Sequence, residues 1–442
     1  MFAYYLQLAL RSFARSPGTT ALMIIAIALG IGVSVVTVSV YHLLSGNPIW
    51  WKNDRLYAVT MDSYPLVLPP ALHIPHLEAG PPRLTYRDAT YLFSSDIPRR
   101  KVIMYSATGA LTGGSAQHAP VRVTTRVTTP DFFAMFDVPF LYGGPWSASA
   151  DFAGAPVIVL SREENERIFG GANSVGRTLR WNDHIMRVVG VLDSWAPLPR
   201  FYDVEYGAIE PPEDSYVDWR WAVANEVATT GALNCMQPEK FVGLASSECV
   251  WIYMWVELPD ARSRARMQAL LDNYWAEQRK AGRFARPRNN RLTNVGTWLS
   301  EHEMLADDNR IMVGVGIAFF AVCMLNVLGL LLARFLNRAP VTGVRRALGA
   351  SRRQIVLQHL TEAGLLAVLG ALLGLVVAEL CLHSVYALIV LMRSADTAVR
   401  ARFDLVSLWW TLALAVIATL GAGVYPALRA GWLPPAAHLK NQ

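Results

Sequence analysis

The sequence predicts an α-helical membrane protein with four transmembrane helices, carrying a large mixed α/β domain between the first two. Three observations lead there. Four segments reach the roughly 20 apolar residues that a bilayer core requires. Arginines gather beside those segments. The stretch between the first and second segments, 45–310, alternates strand-like and helix-like patterns.

Composition sets the frame. Of 442 residues, 53% are hydrophobic and 17% charged, where soluble domains carry about 25% charged residues. Mean hydropathy is +0.27. The net charge is +6, but residues 45–310 hold 27 Lys/Arg against 30 Asp/Glu, a net of −3. The excess of positive charge therefore lies beside the apolar segments. Residues 334–362 carry six Arg and one Glu, and Arg11, Arg15, Arg429 and Lys440 mark the two ends. Basic residues spread this way are a topology signal and exclude a nucleic-acid partner, which needs them gathered on one soluble face.

In chain order, 1–16 reads as an interfacial amphipathic helix, with Phe2, Tyr5, Leu6, Ala9, Leu10 and Phe13 on one side. Residues 17–44 form the first span, and no formal charge falls between Arg15 and Lys52. Its apolar run is too long for a signal peptide. The second span is 311–335, the third 363–392 and the fourth 405–428. Short Arg-rich flanks stay in the cytoplasm. The N-terminus, the 336–362 connector and the 429–442 tail are therefore inside, and 45–310 and the 393–404 loop outside. In a Gram-negative cell the outside is the periplasm, and the protein is a multi-pass inner-membrane protein contacting lipid. Trp50, Trp51, Trp298, Trp409 and Trp410 flank spans and are expected at the membrane–water interface.

Within 45–310, the runs 102–105, 121–125, 156–160, 187–192 and 250–258 read as strands. Ser161 and Glu164 open a helix over 162–169 with a capping box, and Gly170-Gly171 ends it. Asn182-Asp183 turns a hairpin between 178–181 and 185–192. Residues 260–280 form a helix. The acidic, aromatic stretch 201–230 has no clear period and reads as a long surface loop or insertion. Cys323 and Cys381 fall within spans as small apolar residues. Cys235 and Cys249 lie in the outer domain, where an oxidising compartment allows them to pair.

Motifs of chemistry are missing from these residues. There is no Gly-x-x-x-x-Gly-Lys-Ser/Thr phosphate loop, His302-Glu303 lacks the second histidine of a zinc helix, and no serine elbow follows a strand. No catalytic residue or metal site is assigned. Glu379 and His383 share a helix face four residues apart. As polar residues inside a span they are functional candidates, although Glu379 lies about 26 Å past Glu362 at 1.5 Å per residue, near the outer surface. Small residues at four-residue spacing (Ala26, Gly30 and Ser34; Gly370 and Gly374) allow close helix packing.

The connector resembles a known family. Gly343, Val344, Arg345, Arg346, Ala347, Leu348, Gly349, Ala350 and Ser351, followed by Gln354-Ile355 and Glu362-Ala363, are similar to the hallmark of MacB/FtsX-type ABC transporter permeases, the mechanotransmission (type VII) class. The segments 128–133 with 138–144, 156–161 through 168–171, 175–179 and 188–191 resemble the family's outer domain. Residues 425–430 with 434–436 resemble its segment after the last span. The resemblance implies a four-span efflux permease acting as a dimer, with a second copy or a paralogous permease. Its periplasmic domain would have a porter-like part carrying an inserted part at about 131–244. A separate cytoplasmic ATPase would bind ATP and Mg, this chain holding no cofactor, and Gly343–Ser351 would be the helix seated on it. Movement of the outer domain would drive a periplasmic substrate through an adaptor and an outer-membrane channel. One departure is Val341, where the family usually has an acid. Two alternatives stay open: an FtsX-like regulator of cell-wall hydrolases, and a lipoprotein-release permease.

Overall fold

The computed structural model describes residues 2–66, 81–113, 120–204, 210–235, 243–302 and 307–393, with 413, 417, 421, 423–425 and 428. Apart from those few positions, the fourth span, the loop and tail beside it, Trp409 and Trp410 lie outside the described residues. The chain divides into two compact units. One is Met1–Leu43 with Asp307–Gln442, the other Leu44–Ala306.

The helical unit opens with α1 (Phe2–Arg15) and α2 (Pro17–Ser45), separated by Ser16 alone. Proline suits the first position of α2, where its missing N–H costs nothing. The buried side of α1 includes Ala9 and Ser12, while Leu10 is exposed. The apolar face expected from the sequence is thus rotated toward a polar residue.

The Leu44–Ala306 unit begins with β1 (Leu56–Thr60), β2 (Leu84–Thr85), α3 (Tyr86–Phe93), β3 (Arg100–Thr112) and β4 (Val121–Thr128). It continues with α4 (Asp131–Met135), β5 (Phe140–Gly143), α5 (Ala148–Ala153), β6 (Val157–Leu160), α6 (Arg162–Phe169), β7 (Thr178–Trp181) and β8 (His184–Leu192). It closes with β9 (Ser215–Asp218), α7 (Trp219–Ala224), β10 (Asn234–Cys235), β11 (Cys249–Glu257), α8 (Ala261–Lys280), β12 (Arg291–Asn294) and α9 (Val295–Glu301). Caps set many helix starts: Ser161 Oγ accepts from Glu164 N at 3.1 Å, and Asp260 and Ser263 form a reciprocal capping box. The Glu164 carboxylate pairs with Arg167. Asn182 takes φ +50 in the β7–β8 turn, a conformation asparagine tolerates.

The strands join in the order β12-β1-β11-β3-β4-β9-β6-β8-β5. The thirteen-residue β3 is the axle. Arg100–Met104 pair with β11, and Tyr105–Leu111 pair with β4. The strand therefore changes partner at Tyr105. Beyond β3, parallel pairs (β4 with β9, β6 with β8) appear among antiparallel ones. The β6–β8 pair needs the crossover that α6 and β7 supply. Gly109 lets Trp181 lie on β3, since a Cβ there would sit 2.3 Å from the indole.

An aromatic core gathers Phe132, Phe133, Phe136, Trp146, Tyr202 and Trp255 on one side of this sheet. Trp298 belongs to it. It is 1% exposed and its Nε1 donates to Phe201 O at 3.0 Å, which corrects its expected interfacial place. Residues 201–230 also depart from expectation, since they supply β9, α7 and the buried Phe201, Tyr202, Asp203, Glu213 and Tyr216. Their period is hidden because acids and aromatics alternate into a core that holds charge.

The helical unit resumes with α10 (Asp307–Asn337), α11 (Ala339–Ala347) and α12 (Arg352–Arg393). Pro17–Ser39, Ile311–Asn337 and Arg352–Ser384 are long and apolar enough to cross a membrane. α12 begins at Arg352, where Ser351 caps it, and its polar first turns continue unbroken into the apolar run expected as the third span. Gly370 and Gly374 lie against Ile27, Ala28 and Ile31 of α2, and Gly30 against Cys323 of α10. The small residues pack helices within the chain.

Candidate functional site

The basic connector folds as a helical corner. α10 passes into α11 through Arg338 alone. At the far end Gly349 adopts φ +100, a region that L side chains enter only at a cost. Ala350 N donates to Arg345 O at 3.1 Å. Ser351 then starts α12 with a reciprocal cap: Gln354 N donates to Ser351 Oγ at 3.3 Å, and Ser351 N to Gln354 Oε1 at 2.9 Å. Gly349, Ser351 and Gln354 are thus the geometry of the turn, which accounts for their place in the motif.

The two sides of α11 differ. Arg345 turns back into the chain, donating to Gln358 Oε1 of α12 at 2.7 Å and to the Tyr4 hydroxyl of α1 at 3.1 Å. Val341, Val344 and Leu348 point away, and Leu348 is 83% exposed. Spaced three and four apart, they make one apolar ridge. Gly343 and Ala350 lie half-buried along the same corner. The side chains of Arg346 and Ala347 are outside the described set. Arg345 thus ties α11 to α12 and α1, while Val341, Val344 and Leu348 stay exposed.

Beneath the corner lies a polar cluster that sequence reading missed. Ser12, Thr20, Arg334 and Glu362 are all buried. Arg334 donates to Thr20 Oγ1 and Ser12 Oγ, each at 2.9 Å, and its Nε lies 3.0 Å from Glu362 Oε1. The signal was present as charges flush with two apolar runs. His359 is buried against Phe335, ring centroids 4.1 Å apart. Glu379 and His383 face one another at 3.4 Å, both well exposed.

The sheet unit carries its own buried charges. Arg126, wholly buried, pairs with Asp203 and Glu213, and Tyr202 Oη donates to Glu213 Oε2 at 3.0 Å. Burial alone pushes the Arg126 guanidinium pKa down, and Glu213 with Asp203 more than reverse this, holding it well above its usual value. Cys235 and Cys249 form a disulfide between neighbouring strands β10 and β11. Among the described residues, no group of three or more His, Cys, Asp or Glu could hold a metal.

A bundle of membrane-length helices, a basic helical corner and a large α/β unit define a membrane permease with an extracytoplasmic domain. The comparisons give the family. Residues 20–274 match the model of the MacB-like periplasmic core domain, and 313–435 that of the FtsX-like permease C-terminal domain. The chain belongs to the MacB/FtsX-type ABC permeases. Relatives include the pyoverdine export ATP-binding/permease protein PvdT of Pseudomonas entomophila, 28% identical over 316 residues, covering 70% of this chain and 42% of that protein. PvdT of Pseudomonas aeruginosa is 24% identical over 313 residues, covering 71% and 41%. The chain thus spans less than half the length of these relatives. Among solved structures, the periplasmic region of MacB from Actinobacillus actinomycetemcomitans aligns at 14% identity and TM-score 0.37, covering 58% of this chain and 95% of that one. The extracellular domain of YknZ from Gram-positive bacteria aligns at 13% and 0.32, covering 54% and 100%.

Proposed function

We propose that this chain is the membrane subunit of an ABC export system in the bacterial inner membrane. A separate cytoplasmic ATPase supplies the work, which enters at the α11 corner and leaves as movement of the periplasmic unit. The single observation that carries this reading is the polarity of α11. An apolar ridge of Val341, Val344 and Leu348 is left outward while Arg345 braces the helix from within. A ridge of this kind fits a groove on a soluble protein. The subunit crosses the membrane four times and works as a dimer. A periplasmic adaptor and an outer-membrane channel complete the route for a substrate already outside the membrane. Relatives named for pyoverdine export support efflux over control of a cell-wall hydrolase or lipoprotein release.

The test is Leu348→Asp in the full chain, with the cognate ATPase co-expressed. Losing the leucine contact that the partner would bury, worth about 1.5–3 kcal/mol, should lower ATPase co-purification about tenfold or more while the chain still inserts. Unchanged co-purification would overturn the assignment of this ridge.

A further inference from the structure

We propose that Glu362 and Ser12 are positioning residues for coupling: together they form the joint through which displacement of α11 reaches the membrane helices. The inference rests on the function proposed above, and adds how the corner is geared to the bundle.

Four elements meet at this joint. Ser12 comes from α1, Thr20 from α2, Arg334 from α10 and Glu362 from α12, and each is more than nine-tenths buried. Arg338, the single residue between α10 and α11, is drawn into the same cluster. Its Nη1 meets Ser12 Oγ and lies 3.4 Å from Glu362 Oε1, and its Nη2 donates to Ser12 O at 3.0 Å. Ser12 Oγ donates to Glu362 Oε1 and accepts from Arg334 and Arg338. A hydroxyl has one proton to give and two lone pairs to fill, so this one is saturated. No water needs to complete it, and no other group can replace one partner without losing another.

The consequence is mechanical. Arg338 is the pivot of α11, and its charge is fixed to α1 and α12. The far end of α11 is held to the same two helices, by Arg345 to Tyr4 Oη and Gln358 Oε1. A push on the Leu348 ridge therefore cannot be absorbed by α11 alone. Two guanidinium groups face one carboxylate, and parting them would leave charge unpaired in a buried place. The less costly response is for α1, α10 and α12 to move with α11. Packed helices of this kind switch between discrete arrangements rather than deform gradually.

The test uses the full chain with its ATPase in lipid nanodiscs. Hydrogen exchange of the periplasmic unit is compared with ADP and with ATP plus vanadate, for the wild type, Glu362→Gln, Ser12→Ala and the conservative Glu362→Asp. ATPase co-purification and retention of the Cys235–Cys249 disulfide report assembly and folding. The joint predicts that Glu362→Gln and Ser12→Ala keep the ATPase bound yet shrink the nucleotide-dependent exchange difference about tenfold, within the usual span of coupling factors, and that Glu362→Asp restores part of it. A full exchange difference in both variants would overturn the joint alone. Loss of ATPase binding in both variants would make the cluster a scaffold and overturn the positioning role. A wild type with no nucleotide response would overturn the coupling reading itself, and the joint with it.

Discussion

The Asp151–Asp218 pair in the periplasmic unit gives a quantitative expectation. Asp218 caps α7, accepting from Trp221 N at 2.8 Å, and the carboxylate of Asp151 of α5 acts on it electrostatically. Arg220, 3.9 Å from Asp151, is the cation beside them. Burial is the main cause, and Asp151 a further one, that push the Asp218 carboxyl up to about 7, against which the Trp221 N–H pulls it down. The native state therefore binds a proton that the unfolded chain releases near pH 3.8. By linkage, the stabilisation is complete below about pH 4 and is lost as pH rises through about 7. Between pH 5 and 8 about two pK units of this shift are spent, about 2.7 kcal/mol. Screening of a partly hydrated pair reduces the expected difference to about 1.5 kcal/mol. Urea unfolding of the full chain in detergent, followed by tryptophan fluorescence, should show the wild type less stable at pH 8 by that amount. Asp218→Asn keeps an acceptor for the cap and should remove most of the slope. A flat wild-type profile, or a variant with the same slope, would refute the assignment of a native-state proton to Asp218.

Other expectations follow from the same contacts. Arg126→Ala leaves Asp203 and Glu213 to share Arg200 and should cost about 3 kcal/mol of the periplasmic unit's stability in the same unfolding assay, the low end for breaking a buried pair. Cys235→Ser opens a loop of sequence separation 14 and should cost about 3 kcal/mol, with reductant producing the same change in the wild type. Gly349→Ala forces a side chain into φ +100 and should cost about 1–2 kcal/mol locally, read as increased hydrogen exchange at Ala350–Gln354 with the periplasmic unit unchanged.

Much of this molecule was legible before its structure. Apolar length and arginine bias mark the helices, since both follow from the bilayer alone. The cap at Ser161, the turn at Asn182-Asp183 and the helix after Asp260 are local chemistry, and local chemistry is what a sequence displays. Residues 201–230 were opaque for the opposite reason. Asp203 and Glu213 are buried against two buried arginines, Arg200 nearby in the chain and Arg126, some 77 and 87 positions away, and no local pattern encodes a partner at that second distance. Trp298 was misplaced likewise, its indole being claimed by Phe201 rather than by an interface. At the corner, the motif located the site, but spacing could not tell that Arg345 faces inward and Leu348 outward. Ser12 reads as one more polar residue on a surface helix until Arg334, Arg338 and Glu362 converge on it.

The account depends on α11 facing the compartment that holds the engine. The most direct measurement is reaction of Leu348→Cys, in a background with Cys323 and Cys381 replaced, with a membrane-impermeant maleimide. Inverted vesicles, whose cytoplasmic face is outward, should label readily, and bound ATPase should protect the site. Labelling in intact spheroplasts, with none in inverted vesicles, would contradict the account.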